Sequence, residues 1–148
     1  MNDGKLSLLD MLKRADGLLF TAANAADLAG VLRRVRDDLG IEPPDDYMAL
    51  LRLSDGAIAD GITLYGSKAR EFDELTLPEV VGINLDRQDY RDDLGGILLI
   101  GERDDELLGY RPSDRLYWRI DRVSGDLTDC ASDLRALVGA LLGYAEPA

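Results

Sequence analysis

The sequence predicts an α+β domain: N-terminal helices, a mainly antiparallel sheet of about five or six strands, and a C-terminal helix packed on that sheet. Three observations lead there. Apolar residues recur at helical spacing through residues 28–53 and again from 134 to 141. Between these stretches lie short apolar runs bounded by Gly, Pro and Asp, which read as strands and turns. The two patterns stand in blocks and do not alternate, so strands pair with near neighbours. The 148 residues fit one domain, 1–148, long enough to bury a sizeable core. Only 6% are aromatic, so Leu, Ile, Val and Ala must fill most of that core.

The elements follow in order. Leu8, Leu9 and Leu12 predict a short helix ending near Asp16-Gly17. Asn24 can cap the next helix, with Asp27 three residues on completing a capping box. Leu28, Val31, Leu32, Val35 and Leu39 form its apolar face, Arg33, Arg34, Arg36, Asp37 and Asp38 its polar face, and Gly40 its stop. Pro44 suits the first position of a third helix. Asp45 and Asp46 then favour its first turn through the helix dipole. Tyr47, Leu50 and Leu51 make a buried stripe, and Asp55-Gly56 closes the helix with Gly in a left-handed conformation. Ile62 to Tyr65 is a strand between Gly61 and Gly66. Pro78 opens a helix through Val80, Val81 and Ile83, with Asn84 a buried polar group that needs partners. Ile97 to Ile100 is a central strand, Leu107 to Tyr110 its neighbour, and Pro112-Ser113-Asp114 a turn. Leu116, Trp118 and Ile120 alternate with polar residues, so Trp118 is expected to face the core. Ser124-Gly125-Asp126 turns into a strand around Leu127. A last helix starts near Ser132 and buries Leu134, Leu137, Val138 and Leu141. Glu146-Pro147-Ala148 is read as a frayed end.

Composition excludes several chemistries. There is no His, which removes Ser-His-Asp and Cys-His catalysis and His-ligated metals. One cysteine, Cys130, precludes internal disulfides and fits a reducing cytoplasm, and it is expected to be a small buried residue. The net charge of −12 opposes binding to nucleic acid or an anionic membrane and favours a basic protein partner. Acidity for solubility alone is the plainer reading. The polar start Met1-Asn2-Asp3-Gly4-Lys5 is no secretory signal, and no run is long enough to span a membrane. The 14 Arg against 3 Lys point to a GC-rich bacterial genome.

The block from Ile41 through Pro43, Pro44, Asp45, Tyr47, Leu50 and Leu51 to Asp55 and Gly56 resembles the signature of the SUKH superfamily. The order of elements is similar to its YrhA-like branch over residues 28–142. Leu39-Gly40-Ile41 before the prolines, Leu64-Tyr65-Gly66 after the turn, Ile100-Gly101 before an acidic hairpin and the C-terminal Asp-Leu-x-x-Leu-Val helix agree with it. Relatives often carry Asn-Gly where this chain has Asp55-Gly56, a pair that supports the same turn. The resemblance implies a cytoplasmic, non-enzymatic protein-binding domain without cofactor. In bacteria it implies an immunity protein that blocks a toxin such as a nuclease. A branch similar to a yeast regulator of cell-wall synthesis implies the alternative, a regulatory scaffold.

Two acidic segments are the candidate partner contacts: Asp86, Asp89, Asp92 and Asp93, interleaved with Arg87 and Arg91, and Glu102, Asp104, Asp105 and Glu106 around Arg103. Such charges steer association with a basic toxin. Otherwise they form a solvated rim with local Arg pairs worth about 0–1 kcal/mol each. The second segment lacks the register of a Ca²⁺ loop, and no metal site is expected. Gly56, Gly61 and Gly66 stand in helix–loop–strand order, so they read as turns and not as a phosphate cradle. Tyr47 is expected in the core. Tyr65, Tyr90, Tyr110 and Tyr117 have no assigned place, and an exposed Tyr pair beside acids would make a binding hot spot. The sequence leaves the oligomeric state open.

Overall fold

The computed structural model describes residues 7–72 and 75–144. The Met1–Lys5 stretch and the Glu146–Ala148 end lie outside the described residues. Helix α1 (Leu8–Arg14) is capped by Ser7, whose hydroxyl accepts from Asp10 N at 3.1 Å. Helix α2 (Ala25–Leu39) has the expected capping box between Asn24 and Asp27, and Gly40 ends it in the left-handed region at φ 68°. Helix α3 (Asp45–Leu53) buries Tyr47, Met48, Leu50 and Leu51.

The ends of α3 differ from expectation. Pro44 is the cap and not the first helical residue, with φ −67° and ψ 143°. Its ring fixes φ but leaves ψ free to be extended. The helix ends on extended Ser54, and Asp55 is fully buried. Gly56, at φ 92°, therefore opens the following strand and does not close the helix.

Seven strands form one antiparallel sheet in the order β1 (Leu18–Leu19), β2 (Ala57–Ala59), β3 (Ile62–Leu64), β6 (Leu98–Arg103), β7 (Glu106–Arg111), β8 (Leu116–Asp121) and β9 (Leu127–Ala131). Strands β4 (Arg70–Phe72) and β5 (Leu75–Leu77) make a separate hairpin. The expected central strand is central, and Ile97, Leu98, Leu99 and Ile100 are fully buried. It runs on past Ile100-Gly101 to Arg103. Gly101 lies against β3, where a Cβ would stand 2.6 Å from the Thr63 carbonyl oxygen. Strands β1, β2, β4 and β5 were not expected, because two or three residues are too few to show a period.

Helix α4 (Val80–Asp86) packs on β6, and α5 (Gln88–Asp93) follows it directly. Helix α6 (Leu134–Leu141) packs on β8 and β9, with Asp133 as its cap in place of Ser132. Asn84 finds the partners it requires. Its amide donates to Val80 O at 2.7 Å and Leu99 O at 2.8 Å, and its oxygen accepts from Leu99 N at 2.8 Å.

Two expectations for the last strands are corrected. In β8 the buried residues are Tyr117 and Ile120, while Leu116 and Trp118 are half-buried. A register shift between Arg119 and Ile120 against β9 breaks the two-residue period. Trp118 packs on the margin of the core and donates its indole N–H to Asp114 Oδ2 at 3.1 Å under the Arg111 guanidinium. Cys130 is exposed, because β9 is an edge strand that turns Thr128, Asp129 and Cys130 to the surface.

Candidate protein-binding face

The first acidic segment is helical. Asp86 ends α4, and Asp89, Asp92 and Asp93 lie on α5, all exposed. Asp92 accepts weakly from Gln88 Nε2 at 3.4 Å. Asp86, Asp89 and Asp93 have no ion pair among the described residues. Arg91 does not pair with them. Its side chain turns inward, 2% exposed, and Nε donates to Ile97 O at 2.7 Å. Its Nη1 has no hydrogen-bond partner among the described residues. Burial lowers its pKa against a smaller opposing effect of Asp92.

The second segment divides. Glu102 and Glu106 point along the sheet and are neutralised there. Glu102 accepts from Tyr65 Oη at 2.9 Å and Arg122 Nη2 at 3.0 Å. Glu106 takes a bidentate pair from Arg119 at 2.9 and 2.7 Å. Only Asp104 and Asp105 form the exposed tip of the β6–β7 hairpin. Asp104 sits at φ 49°, a left-handed turn position that Asp tolerates.

The turn between β8 and β9 joins the segments. Arg122 N donates to Asp105 O at 2.7 Å, and Tyr90 Oη donates to Asp121 O at 3.4 Å. The turn thus stands between α5 and the hairpin tip. The Asp121 carboxylate braces it, accepting from Val123 N and Ser124 N, both at 2.9 Å. These bonds hold its pKa below the usual carboxylate value. Val123 projects from the turn, 90% exposed. A cleft of about 380 Å³ runs beneath it, lined by Tyr90, Asp93, Leu94, Val123, Ser124 and Gly125. Tyr90 also lines a depression of about 500 Å³ with Leu85, Asp86, Arg87, Gln88 and Asp89. The part of this face that sequence reasoning missed is the turn, whose one visible signal was an apolar Val beside Ser-Gly.

Tyr47, Tyr65, Tyr110 and Tyr117 serve the interior or its margin. Tyr47 Oη donates to Tyr65 O, and Tyr117 Oη to Asp46 Oδ1. Burial, then nearby carboxylates, raise the pKa of Tyr65 and Tyr117 well above the ordinary phenol value. Tyr110 packs tilted against Tyr117, with ring centroids 5.3 Å apart and 57° between planes. Asp55 accepts from Ser67 N and Oγ, both at 2.7 Å, and from Arg70 Nη2 at 3.2 Å. The Pro43–Gly56 block is therefore a fastening, and none of its side chains lines the cleft.

An apolar groove of about 260 Å³ lies between α1, α3 and the start of α6, lined by Leu8, Leu9, Ala49, Leu50, Leu53 and Leu134. The carboxylates on it, Asp46 and Asp133, accept from Leu134 N and Ala136 N, both at 2.7 Å. Both act as helix caps there. No group of three or more His, Cys, Asp or Glu among the described residues is placed to hold a metal ion. No helix among them is long and apolar enough to cross a membrane. Comparison with known proteins found no matching family model and no matching curated protein.

Proposed function

We propose that this protein is a non-enzymatic, cytoplasmic immunity protein that neutralises a bacterial toxin, such as a nuclease, by covering its basic face. The observation that supports this reading is one braced turn flanked by the exposed carboxylates of Asp86, Asp89, Asp93, Asp104 and Asp105, which have no cationic partner of their own among the described residues. The resemblance of the Pro43–Gly56 block to SUKH proteins supports the immunity role specifically. The net charge of −12 steers a basic toxin toward this surface, and the unneutralised carboxylates take its Lys and Arg in place of substrate phosphates. Glu102 and Glu106 hold the hairpin and turn rigid, so little ordering entropy is lost on association.

The test begins with the neighbouring gene: a toxin encoded there, inhibited by this chain, is the expected result, and an isolated housekeeping context favours the scaffold reading. The wild-type chain abolishes toxin activity and binds it one to one. A variant carrying Asn at positions 86, 89, 93, 104 and 105 keeps its fold, because Asn tolerates the Asp104 turn and no bond among the described residues is broken. Its association rate falls by roughly tenfold or more at low salt, and the salt dependence flattens. An unchanged association rate places the contact elsewhere. A wild-type chain that binds its partner without altering activity favours the scaffold reading.

A further inference from the structure

We propose that the cleft between α5 and the β8–β9 turn is a receptor for a single arginine side chain of the basic partner, and the anchor of the interface. This rests on the reading of the acidic face as a protein-binding surface. At about 380 Å³ the cleft is near the small end of ligand pockets and ample for one long side chain. Its walls match a guanidinium group by group. Tyr90 contributes an aromatic ring to the lining, and the exposed Asp93 contributes a carboxylate without an ion-pair partner among the described residues. Leu94 and Val123 supply apolar surface for the methylene stem.

Charge complementarity fixes the sign of the occupant. Of the cations near the cleft two are engaged, and Arg87, which is unpaired among the described residues, lies beside Tyr90 but outside the lining. Arg122 is paired with Glu102, Arg91 is turned to Ile97 O, and Arg87 lines the neighbouring depression. Asp126 lies in the turn itself, Asp104 and Asp105 form the hairpin tip bonded to it through Arg122 N, and Asp89 lies on α5 beside Tyr90. Arginine is favoured over lysine because a planar, weakly hydrated fork can stack on the ring and still reach the carboxylate.

The cleft is also pre-formed. Tyr90 Oη is held by Asp121 O, and the turn is held by the Asp121 carboxylate. Gly125 brings its backbone close to Tyr90, where a Cβ would touch the ring at 4.0 Å. An anchor inserted here loses rotamer freedom only on the partner's side.

The test is an NMR titration of the full chain with a nona-arginine peptide and a nona-lysine peptide at low salt. The largest amide shifts are expected across Tyr90–Leu94 and Val123–Gly125, with arginine the tighter by several-fold. Tyr90→Leu and Asp93→Asn each weaken the arginine peptide by about three- to tenfold. Tyr90→Phe, which keeps the ring but loses the bond to Asp121 O, weakens the arginine peptide less than Tyr90→Leu does. Asp37→Asn on α2 changes nothing. Equal shifts around Asp37, Asp38 and the cleft, or full binding by both cleft variants, overturn the proposal. Binding confined to Asp104 and Asp105 overturns the arginine receptor and leaves the basic-partner reading standing. Absence of binding at low salt overturns both.

Discussion

Asp46 shows how much one side chain can carry unseen. Its Oδ1 accepts from Tyr117 Oη and from Tyr47 N at 2.9 Å, and its Oδ2 accepts from Leu134 N at 2.7 Å. One carboxylate thereby fixes α3, β8 and α6 to each other. Asp46→Ala strands the Tyr117 hydroxyl and frees the Leu134 N–H at the start of α6, which Asp133 still caps, and should cost about 2–4 kcal/mol in urea unfolding. Tyr117→Phe removes one of the three bonds and should cost about 1 kcal/mol. The spacing of Asp46 identified a residue of the first helical turn. Its two distant partners were not legible, because hydrogen bonds across 71 and 88 residues leave no local pattern. The tyrosines give a second test. Tyr47, Tyr65 and Tyr117 have pKa values raised chiefly by burial. A raised folded pKa contributes stability below the unfolded value near 10 that is lost as pH rises above it. Absorbance titration at 295 nm should therefore leave these three phenols neutral until the chain unfolds in alkali.

Strand β6 is flanked by a neighbour half its length. β3 pairs with Gly101, Glu102 and Arg103 only. Beyond it, side chains take over the open hydrogen-bonding edge. Asn84 binds both peptide groups of Leu99, and Arg91 Nε binds Ile97 O. The Asn84 carboxamide thus reproduces the pairing of a strand residue. Asn84→Leu fills similar space but leaves a buried N–H and C=O unmet, and should cost about 2–4 kcal/mol with faster amide exchange at Leu99. Asn84→Asp should be as damaging at neutral pH, because its charge faces two carbonyl oxygens. The sequence showed that Asn84 needed partners and that 97–100 was a central strand. It did not reveal α5. The run 86–93 has no apolar stripe, and α5 is held by an inward Arg that its charge disguises as a surface residue. The short strands escaped for the opposite reason, having too few residues to display a period.

Across the whole molecule, stability and binding draw on the same acidity in different ways. Burial pushes the Asp114 carboxyl up, but Arg111, the Leu116 N–H and Trp118 together hold it below its usual value. Backbone N–H groups do the same for Asp121. Depressed folded values mean stability that is full above the unfolded value near pH 4 and lost as pH falls through the lower folded one. Thermal unfolding should show a steady midpoint from pH 7 to 5 and a steep fall below 4, reduced in Arg111→Gln. The α+β class and the order of the main elements were legible from periodicity. The assembly of one face from residues 86–93, 104–105 and 121–126 was not, since it depends on how the sheet brings its ends together. One consequence lies at the far edge of that sheet. Cys130 and Trp118 are register partners across β8 and β9, and each is the only residue of its kind. A thiol-reactive dye on Cys130 would sit beside the single tryptophan, which can be excited selectively over the tyrosines. That pair is a ready-made proximity gauge for fraying of the β9 edge, needing no engineered mutation.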